Sequence, residues 1–345
     1  MKILTDLSLL VGEPGKIVLA AGFFDSVHIG HKRVIERTIA AARKCKASPW
    51  ILTFDTHPMR ILRPAIAPLL LTSDKHKLLL FQRTGVEGCI VLRFDKYLAQ
   101  MTPSDFVKHL TNSGKISKIF VGTNWRFGKN RRGNPVLLSK LGRRYGFDVT
   151  AVMPVMRDGT PVSSTRIRKN IAQGNLVKAA QLLGRPVSVL GTVVRGRAIG
   201  QTLGFPTANL SLYNEVVPPL GVYAIHALLD GKLYDGVLNL GIRPTFSKKL
   251  SPKPIMELHL FGVSRKIYGK DIEVFFVEKI RNERKFDSRA ELAQHIACDI
   301  AKATIILRKK SSKNRFTRIP ISYYSAALDK KERKRKRDNR KSVGQ

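Results

Sequence analysis

The apolar run Ile17-Val18-Leu19-Ala20 passes through Gly22-Phe23-Phe24-Asp25-Ser26-Val27-His28-Ile29-Gly30-His31 into a segment, 33–43, with helical spacing. That segment places Val34, Ile35, Thr38, Ile39 and Ala42 on one face. A buried strand that hands over to a helix across a glycine-bracketed turn is the repeating unit of an α/β sheet, where ligands bind beyond the carboxyl ends of the strands. The helix start offers unpaired N–H groups and a positive dipole end, which suits phosphate. His28 and His31, with Gly30 between them, can both face such a phosphate as hydrogen-bond donors. The competing reading is an ordinary turn with incidental histidines, and a motif this short does not decide alone.

The following segments repeat the pattern. Residues 50–54 read as a second buried strand ending in the polar turn Asp55-Thr56-His57-Pro58. Leu71-Thr72-Ser73-Asp74-Lys75-His76 opens a helix with Thr72 or Ser73 as its cap. Residues 89–94, 119–122 and 149–152 read as further strands, and Thr102-Pro103-Ser104-Asp105 starts a helix with Phe106, Val107 and Leu110 inward. Alternating strands and helices imply a mostly parallel sheet covered on both faces. Residues 121–129 mix aromatics, cations and glycines, a composition that suits stacking a planar ligand. Ser163-Ser164-Thr165-Arg166-Ile167-Arg168 reads as a capped helix start with arginines in its first turns. Cations there oppose the helix dipole, so a bound anion would explain them; a solvated basic turn is the alternative.

Near Leu183-Gly184-Arg185-Pro186 the character changes. Short β-like runs at 188–194, 221–227, 233–240 and 256–261 alternate with glycine turns, as in an antiparallel barrel. Residues 288–307 then form an amphipathic helix with Leu292, Ile296, Ile300 and Ile305 or Ile306 inward. Thr207 and Asn209 alternate with Phe205, Ala208 and Leu210, which lets their oxygens converge on a hard cation such as Mg²⁺. Glu257 stands mid-strand between Met256 and Leu258. Such a carboxylate is paired, or solvated on a polar face shared with His259, or a general base for a substrate hydroxyl.

Several motifs in order resemble the bacterial bifunctional riboflavin kinase/FMN adenylyltransferase (FAD synthetase) family: Gly22-x-Phe24-Asp25-x-x-His28-x-Gly30-His31, Thr53-Phe54-Asp55-x-His57-Pro58, Val121-Gly122-x-Asn124-x-x-Phe127-Gly128 and Ser163-Ser164-Thr165-x-Ile167-Arg168. Gly204-Phe205-Pro206-Thr207-Ala208-Asn209, Gly221-Val222-Tyr223, Asn239-x-Gly241-x-Arg243-Pro244-Thr245-Phe246, Glu257-x-His259 and Tyr268-Gly269 resemble its riboflavin kinase module. The resemblance covers about residues 1 to 310. It implies a Rossmann-like nucleotidylyltransferase α/β domain (1–184) and an antiparallel β-barrel kinase domain with a C-terminal helix (185–310), and composition leaves residues 311–345 as a basic tail. It implies ATP, riboflavin and FMN as substrates, with Mg²⁺. ATP would meet Gly22, Phe24, His28, Gly30, His31, Ser164, Thr165 and Arg168 in the first domain, and Gly191, Gly200, Thr207 and Asn209 in the second. Thr207 and Asn209 would hold the metal, Glu257 would activate the ribityl 5′-hydroxyl, and Phe54, Asn124, Phe127, Arg281 and Glu283 would meet the flavin. The chain departs from the family at Phe23 (commonly Asn), Ser26 (Gly), Thr56 (Pro) and Gln201 (often Arg). Phe23 removes a polar group beside the phosphates, and Ser26 costs least if its dihedrals are ordinary.

Composition adds location and charge. Three widely spaced cysteines without a C-x-x-C argue against a disulfide framework or zinc and fit small buried groups in a reduced cytoplasm. The start Met1-Lys2-Ile3-Leu4-Thr5-Asp6 lacks the layout of a signal peptide, and no long apolar run spans a membrane, so a cytoplasmic protein is expected. The net charge of +37 is concentrated in part after Arg308, ending in a Lys/Arg block expected to be disordered. The alternatives are therefore a bifunctional flavin-nucleotide enzyme, one with a weakened adenylyltransferase, or a basic nucleic-acid-associated protein with decayed nucleotide sites. The intact His28/His31, Thr207/Asn209 and Glu257 sets favour the enzyme. A solvated cationic arm binds phosphate backbones through counterion release, without base reading. Truncation after Asp329 should leave catalysis within a small factor and make the log–log salt dependence of RNA binding shallower. Fluorescence anisotropy measures both slopes, and equal slopes would take the phosphates away from the arm.

Overall fold

The computed structural model describes residues 1–195, 204–242 and 254–313. The chain divides into two compact units, one of residues 1–70 and 74–164, the other of residues 71–73 and from 165 onward.

The first unit is built on six parallel strands, β1 (Lys2–Leu4), β2 (Ile17–Ala21), β3 (Ser48–Phe54), β4 (Gly88–Leu92), β5 (Ile116–Gly122) and β6 (Asp148–Val152), in the order β1-β4-β3-β2-β5-β6. All five residues of β2 are buried, the continuous apolar signature of a strand covered on both faces. The connecting helices are α1 (Ile29–Lys44), α2 (Pro58–Leu62), α3 (Asp74–Gln82), α4 (Lys96–Gln100), α5 (Pro103–Thr111) and α6 (Pro135–Tyr145). Helix α1 buries Val34, Ile35, Thr38 and Ala42, and the Thr38 hydroxyl donates to the Val34 carbonyl at 3.0 Å, so its burial leaves no donor unpaired. Helix α5 starts as expected: the Thr102 hydroxyl accepts from the Asp105 N–H, and Phe106, Val107 and Leu110 turn inward. Strand β1 escaped the sequence reading because three residues with one buried side chain carry no period. A two-stranded hairpin, β7 (Met156–Arg157) with β8 (Thr160–Pro161), follows the sheet.

Two sequence expectations are corrected here. Among the cysteines only Cys89 is buried, whereas Cys45 and Cys298 are exposed, so small buried packing explains one of the three. Burial pushes the Cys89 thiol up to about 12, which makes it inert. The dihedrals of Ser26 are not ordinary: φ is +75°, in the left-handed region that favours glycine. Phe24 (φ +56°) and Val27 (φ +43°) share that region, so the turn after β2 concentrates backbone strain in three non-glycine residues.

The second unit carries α7 (Ser164–Ala172), whose first residue belongs to the other unit, and α8 (Leu176–Leu183), ahead of a closed barrel. Its strands are β9 (Ser188–Val194), β10 (Ala208–Leu212), β11 (Gly221–Leu229), β12 (Lys232–Ile242), β13 (Pro254–Leu260) and β14 (Asp271–Arg281). All pair antiparallel in the order β10-β13-β12-β11-β14-β9, and β9 with β10 closes the ring. Four of the six match the expected runs. Strand β14 was missed because the buried Glu273 interrupts its apolar run, which Glu278, Lys279 and Arg281 then end. Helix α9 (Arg289–Lys313) lies on the outer side of β11, β12 and β14. Ala303 and Leu307 pack there with Ile300 and Ile306 on Val222, Ala224, Val237 and Val277, so Ile306 is the inward residue and Ile305 the exposed one. Among the described residues no helix is long and apolar enough to cross a membrane.

Strands β11 and β12 are joined by Asp230-Gly231, both with positive φ (+49° and +80°), the primed two-residue turn that matches strand twist. Gly231→Ala should therefore destabilise the barrel by about 1–2 kcal/mol, the cost of a left-handed L-residue. A thermal melt followed by circular dichroism measures this, and an unchanged midpoint would deny the turn its role in the hairpin.

Candidate active site

The chain lays β3 and β4 on one side of β2, then crosses to place β5 and β6 on the other. Ligands in open α/β sheets bind at such a switch point, outside the carboxyl ends of the strands. Register brings Ala20 beside Phe120 and Ala21 beside Leu52, so the segments leaving β2, β3 and β5 emerge side by side. Gly22 to His31, Phe54 and Asn124 to Phe127 are thus brought to one end of one sheet. Thr53 ties two of these segments together, its hydroxyl donating to the Phe23 carbonyl at 2.9 Å.

Within the turn, packing explains the residue types. The Phe24 ring is buried over Gly22, where a Cβ would come within 2.9 Å of it. It meets His31 and Phe81 edge-on, at 5.3 and 5.9 Å between centroids. His28 is buried at the start of α1, and its Nδ1 accepts the main-chain N–H of His31 at 3.2 Å. An accepting Nδ1 puts the neutral ring's proton on Nε2, which is then a donor. A Cβ on Gly30 would lie 3.0 Å from His28 Cε1, so the glycine makes room for the capping ring. His28 and His31 stack with centroids 3.6 Å apart and planes 17° from parallel. The two imidazoles therefore form one compact donor surface at the helix start. Asp25 is buried, and its carbonyl accepts from the Ser164 hydroxyl at 3.1 Å, which places Ser164 beside the turn. Thr165 and Arg168 follow in the first turns of α7, within the other unit.

At the end of β3, Phe54 is half-buried and packs edge-on to Phe94 at 5.4 Å. Asn124 is exposed, with its Oδ1 3.0 Å from where a Cβ of Gly122 would stand. Phe127 is placed differently: it is 7% exposed in the core against Phe106, and Trp125 stacks over it at 4.6 Å. Phe23 packs edge-on against His57 at 4.7 Å and under the ammonium of Lys77.

The barrel builds its own constellation by register. Asn209 on β10 pairs with Glu257 on β13, and Glu257 pairs with Asn239 on β12. Directly opposed residues share a face, and their strand neighbours Leu210, Met256, Leu258, Leu238 and Leu240 fill the interior. Asn209, Glu257 and Asn239 thus form one polar row on the outer face. Val222 continues the row beneath α9, which covers one end of it. Thr207 precedes Asn209 by two positions, and His259 shares the face, its Nδ1 3.0 Å from the Pro206 carbonyl. Sequence reasoning gave Asn239 no role, because only the register places it beside Glu257.

The remaining expected residues are dispersed. Gly191 is buried where β9 meets β10, a Cβ there coming within 2.8 Å of the Ser211 carbonyl, so its visible task is close strand approach. Arg281 grips the buried Asp299 of α9 through Nε and Nη2 (2.8–3.1 Å) and gives Nη1 to the Asn282 carbonyl. Removing one partner of such a buried pair typically costs about 3–5 kcal/mol, so Arg281 ties the helix to the barrel. Glu283 lies against Gly241, whose missing side chain leaves space for its carboxylate. Gly200, Gln201 and residues 243–246 lie outside the described residues.

Residues 11–166 match the FAD synthetase family model and residues 183–307 the riboflavin kinase model. The bifunctional riboflavin kinase/FMN adenylyltransferase of Escherichia coli K12 is 38% identical over 288 residues, 82% of this chain and 90% of that protein. The protein of the same name from Bacillus subtilis 168 is 33% identical over 294 residues, 84% and 92% of the two chains. A crystal structure described as a macrolide-efflux protein from Streptococcus pneumoniae superposes with a TM-score of 0.71 at 28% identity, over 86% of this chain and 96% of that one. With two family models in tandem and full-length relatives above 30% identity, the chain belongs to the bifunctional riboflavin kinase/FMN adenylyltransferase family of transferases.

Proposed function

We propose that the barrel row phosphorylates riboflavin and that the switch-point turn of the first unit adenylylates the resulting FMN. The observation that carries this division is that each unit holds its own polar constellation, one around Glu257 and one around His28/His31. In the kinase step Glu257 takes the proton of the ribityl 5′-hydroxyl, the oxygen attacks the γ-phosphorus of ATP, and ADP leaves. Asn209 and Asn239 flank the carboxylate in register and hold the reacting groups in line. Thr207 and Asn209 offer neutral oxygen donors. Among the described residues no group of three or more His, Cys, Asp or Glu side chains is placed to hold a metal. That donor set fits Mg²⁺, which takes few protein ligands and completes its shell from phosphate and water; when bound it would neutralise phosphate charge.

In the second step an FMN phosphate oxygen attacks the α-phosphorus of another ATP, and pyrophosphate leaves. The chain's contribution is a donor surface aimed at the triphosphate: the start of α1, Nε2–H of His28, and His31, with the Ser164 hydroxyl beside the turn. The backbone of Gly22 and Gly30 shapes that surface, while Phe54 and Asn124 receive the flavin. Phe127 acts through Trp125, which covers it. Arg281 and Glu283 serve the riboflavin side of the barrel, Arg281 by fixing the end of β14. Gly191 and Gly200 frame the kinase nucleotide. The functional modules run 1–184 and 185–310, in the cytoplasm, and the basic residues of 311–345 add non-specific affinity for nucleic acid.

Two substitutions separate the steps. Glu257→Gln should abolish FMN formation from riboflavin while FAD formation from supplied FMN persists, as read by chromatography of the flavins. Loss of both products in a folded variant would overturn the division. His31→Ala keeps the main-chain N–H that His28 Nδ1 caps, so the helix start survives. FAD synthesis should still fall a hundredfold or more, about 2.7–4 kcal/mol, as for other lost donors to transition-state charge. Riboflavin phosphorylation should remain nearly unchanged, and an undiminished FAD rate would return His31 to a packing role.

A further inference from the structure

We infer that Lys77 is a positioning residue for adenylyl transfer, holding the segments that leave β2 and β3 in one arrangement through the Phe23 ring and the Phe54 carbonyl. The inference rests on assigning that reaction to the first unit. Lys77 sits on α3 with its side chain 2% exposed. Its Nζ donates to the Phe54 carbonyl at 2.9 Å, lies 3.2 Å from Asp74 Oδ1, and stands 4.4 Å from the centroid of the Phe23 ring. An ammonium withdrawn from water persists only where its partners satisfy it. Asp74, half-exposed one turn earlier on the same helix, would by itself make a local ion pair. The other two partners are not local. Phe54 ends β3 and presents its ring on the flavin side, while Phe23 opens the turn that ends in His28.

This geometry also accounts for the departure at position 23. The Phe23 ring packs against His57 and Lys77, offering its π face to the cation. The Thr53 hydroxyl holds the Phe23 carbonyl at the same place, so the ring and the carbonyl of one residue are fixed from two directions. Losing the cation frees two segments that must hold flavin phosphate and ATP in line, and errors of about an ångström in such alignment can cost as much as a hundredfold in rate. The effect should therefore fall on kcat more than on substrate binding. Sequence reading overlooked Lys77 because lysines are usually solvent-facing. The available signal was its spacing, three and four residues before the buried Leu80 and Phe81.

The test uses the full chain, with FMN and ATP as substrates and FAD formation as readout. Lys77→Met keeps the length of the side chain and removes its charge. The expected result is a kcat lowered at least about tenfold, with KM for ATP within about threefold and riboflavin phosphorylation within about twofold of wild type. Phe23→Leu keeps the Phe54 bond and removes the π face, and should lower kcat by about three- to tenfold. The double variant should fall no further than Lys77→Met alone, the non-additivity of residues acting through one contact. Both tryptophans of the chain, Trp50 and Trp125, lie in the first unit, so their emission reports whether that unit is folded. If Lys77→Met alters that emission, Phe23→Leu decides. A folded variant with wild-type kcat would overturn the inference alone; absence of FAD from the wild-type protein would instead overturn the activity reading on which it rests.

Discussion

A parallel sheet whose chain reverses its direction of travel beside β2 leaves a crevice there that no crossover helix can cover, and the first unit is arranged around it. Strand β2 is buried from end to end, so it has only its carboxyl end to offer a ligand. Its neighbours β3 and β5 end at the same level and contribute Phe54 and Asn124. The strained turn, the capped start of α1 and the ring pair of His28 and His31 follow from fitting a tight chain reversal into that place. Strain in three consecutive-range residues is tolerated because the surrounding packing over-determines it: Phe24, Ser26 and Val27 are all buried.

The barrel solves a different problem. Closing six strands fills the interior with Leu210, Leu238, Leu240, Met256 and Leu258, so any polar chemistry must sit on the outer face. Helix α9 covers that face over β11, β12 and β14, held by the Arg281–Asp299 pair at one point and by Ala303 and Leu307 along its length. Among the described residues the helix packs on β11, β12 and β14 and not on the side of β10 and β13 that carries Asn209 and Glu257. The helix thus delimits the polar row of Asn209, Glu257 and Asn239 by where it stops as much as by what it packs on.

Much of this was legible in the residues. Fully buried strands announced themselves as apolar runs, the inward faces of α1 and α5 followed from helical spacing, and the Thr102 cap was written in its type. The features that stayed hidden depend on pairing at a distance. The Asp230-Gly231 turn fixes Val222 opposite Asn239, but Asn239 meets Glu257 across a connection too long for turn geometry to set the register. Strand β14 hid because the buried Glu273 and the half-buried Glu278, Lys279 and Arg281 break up its apolar run. The Ser26 dihedrals and the burial of Phe127 under Trp125 are products of tertiary packing that no local pattern encodes.

The glycines of the turn carry a consequence for how such a site can change over generations. Gly22 and Gly30 have no side chains because Phe24 and His28 already fill that volume. Each glycine and its ring are therefore one inherited unit: a larger residue at the first position is admissible only after the second has shrunk or turned away, and each single step passes through a clash or a void. Such coupled pairs make the turn resistant to gradual drift even where no ligand touches the glycine.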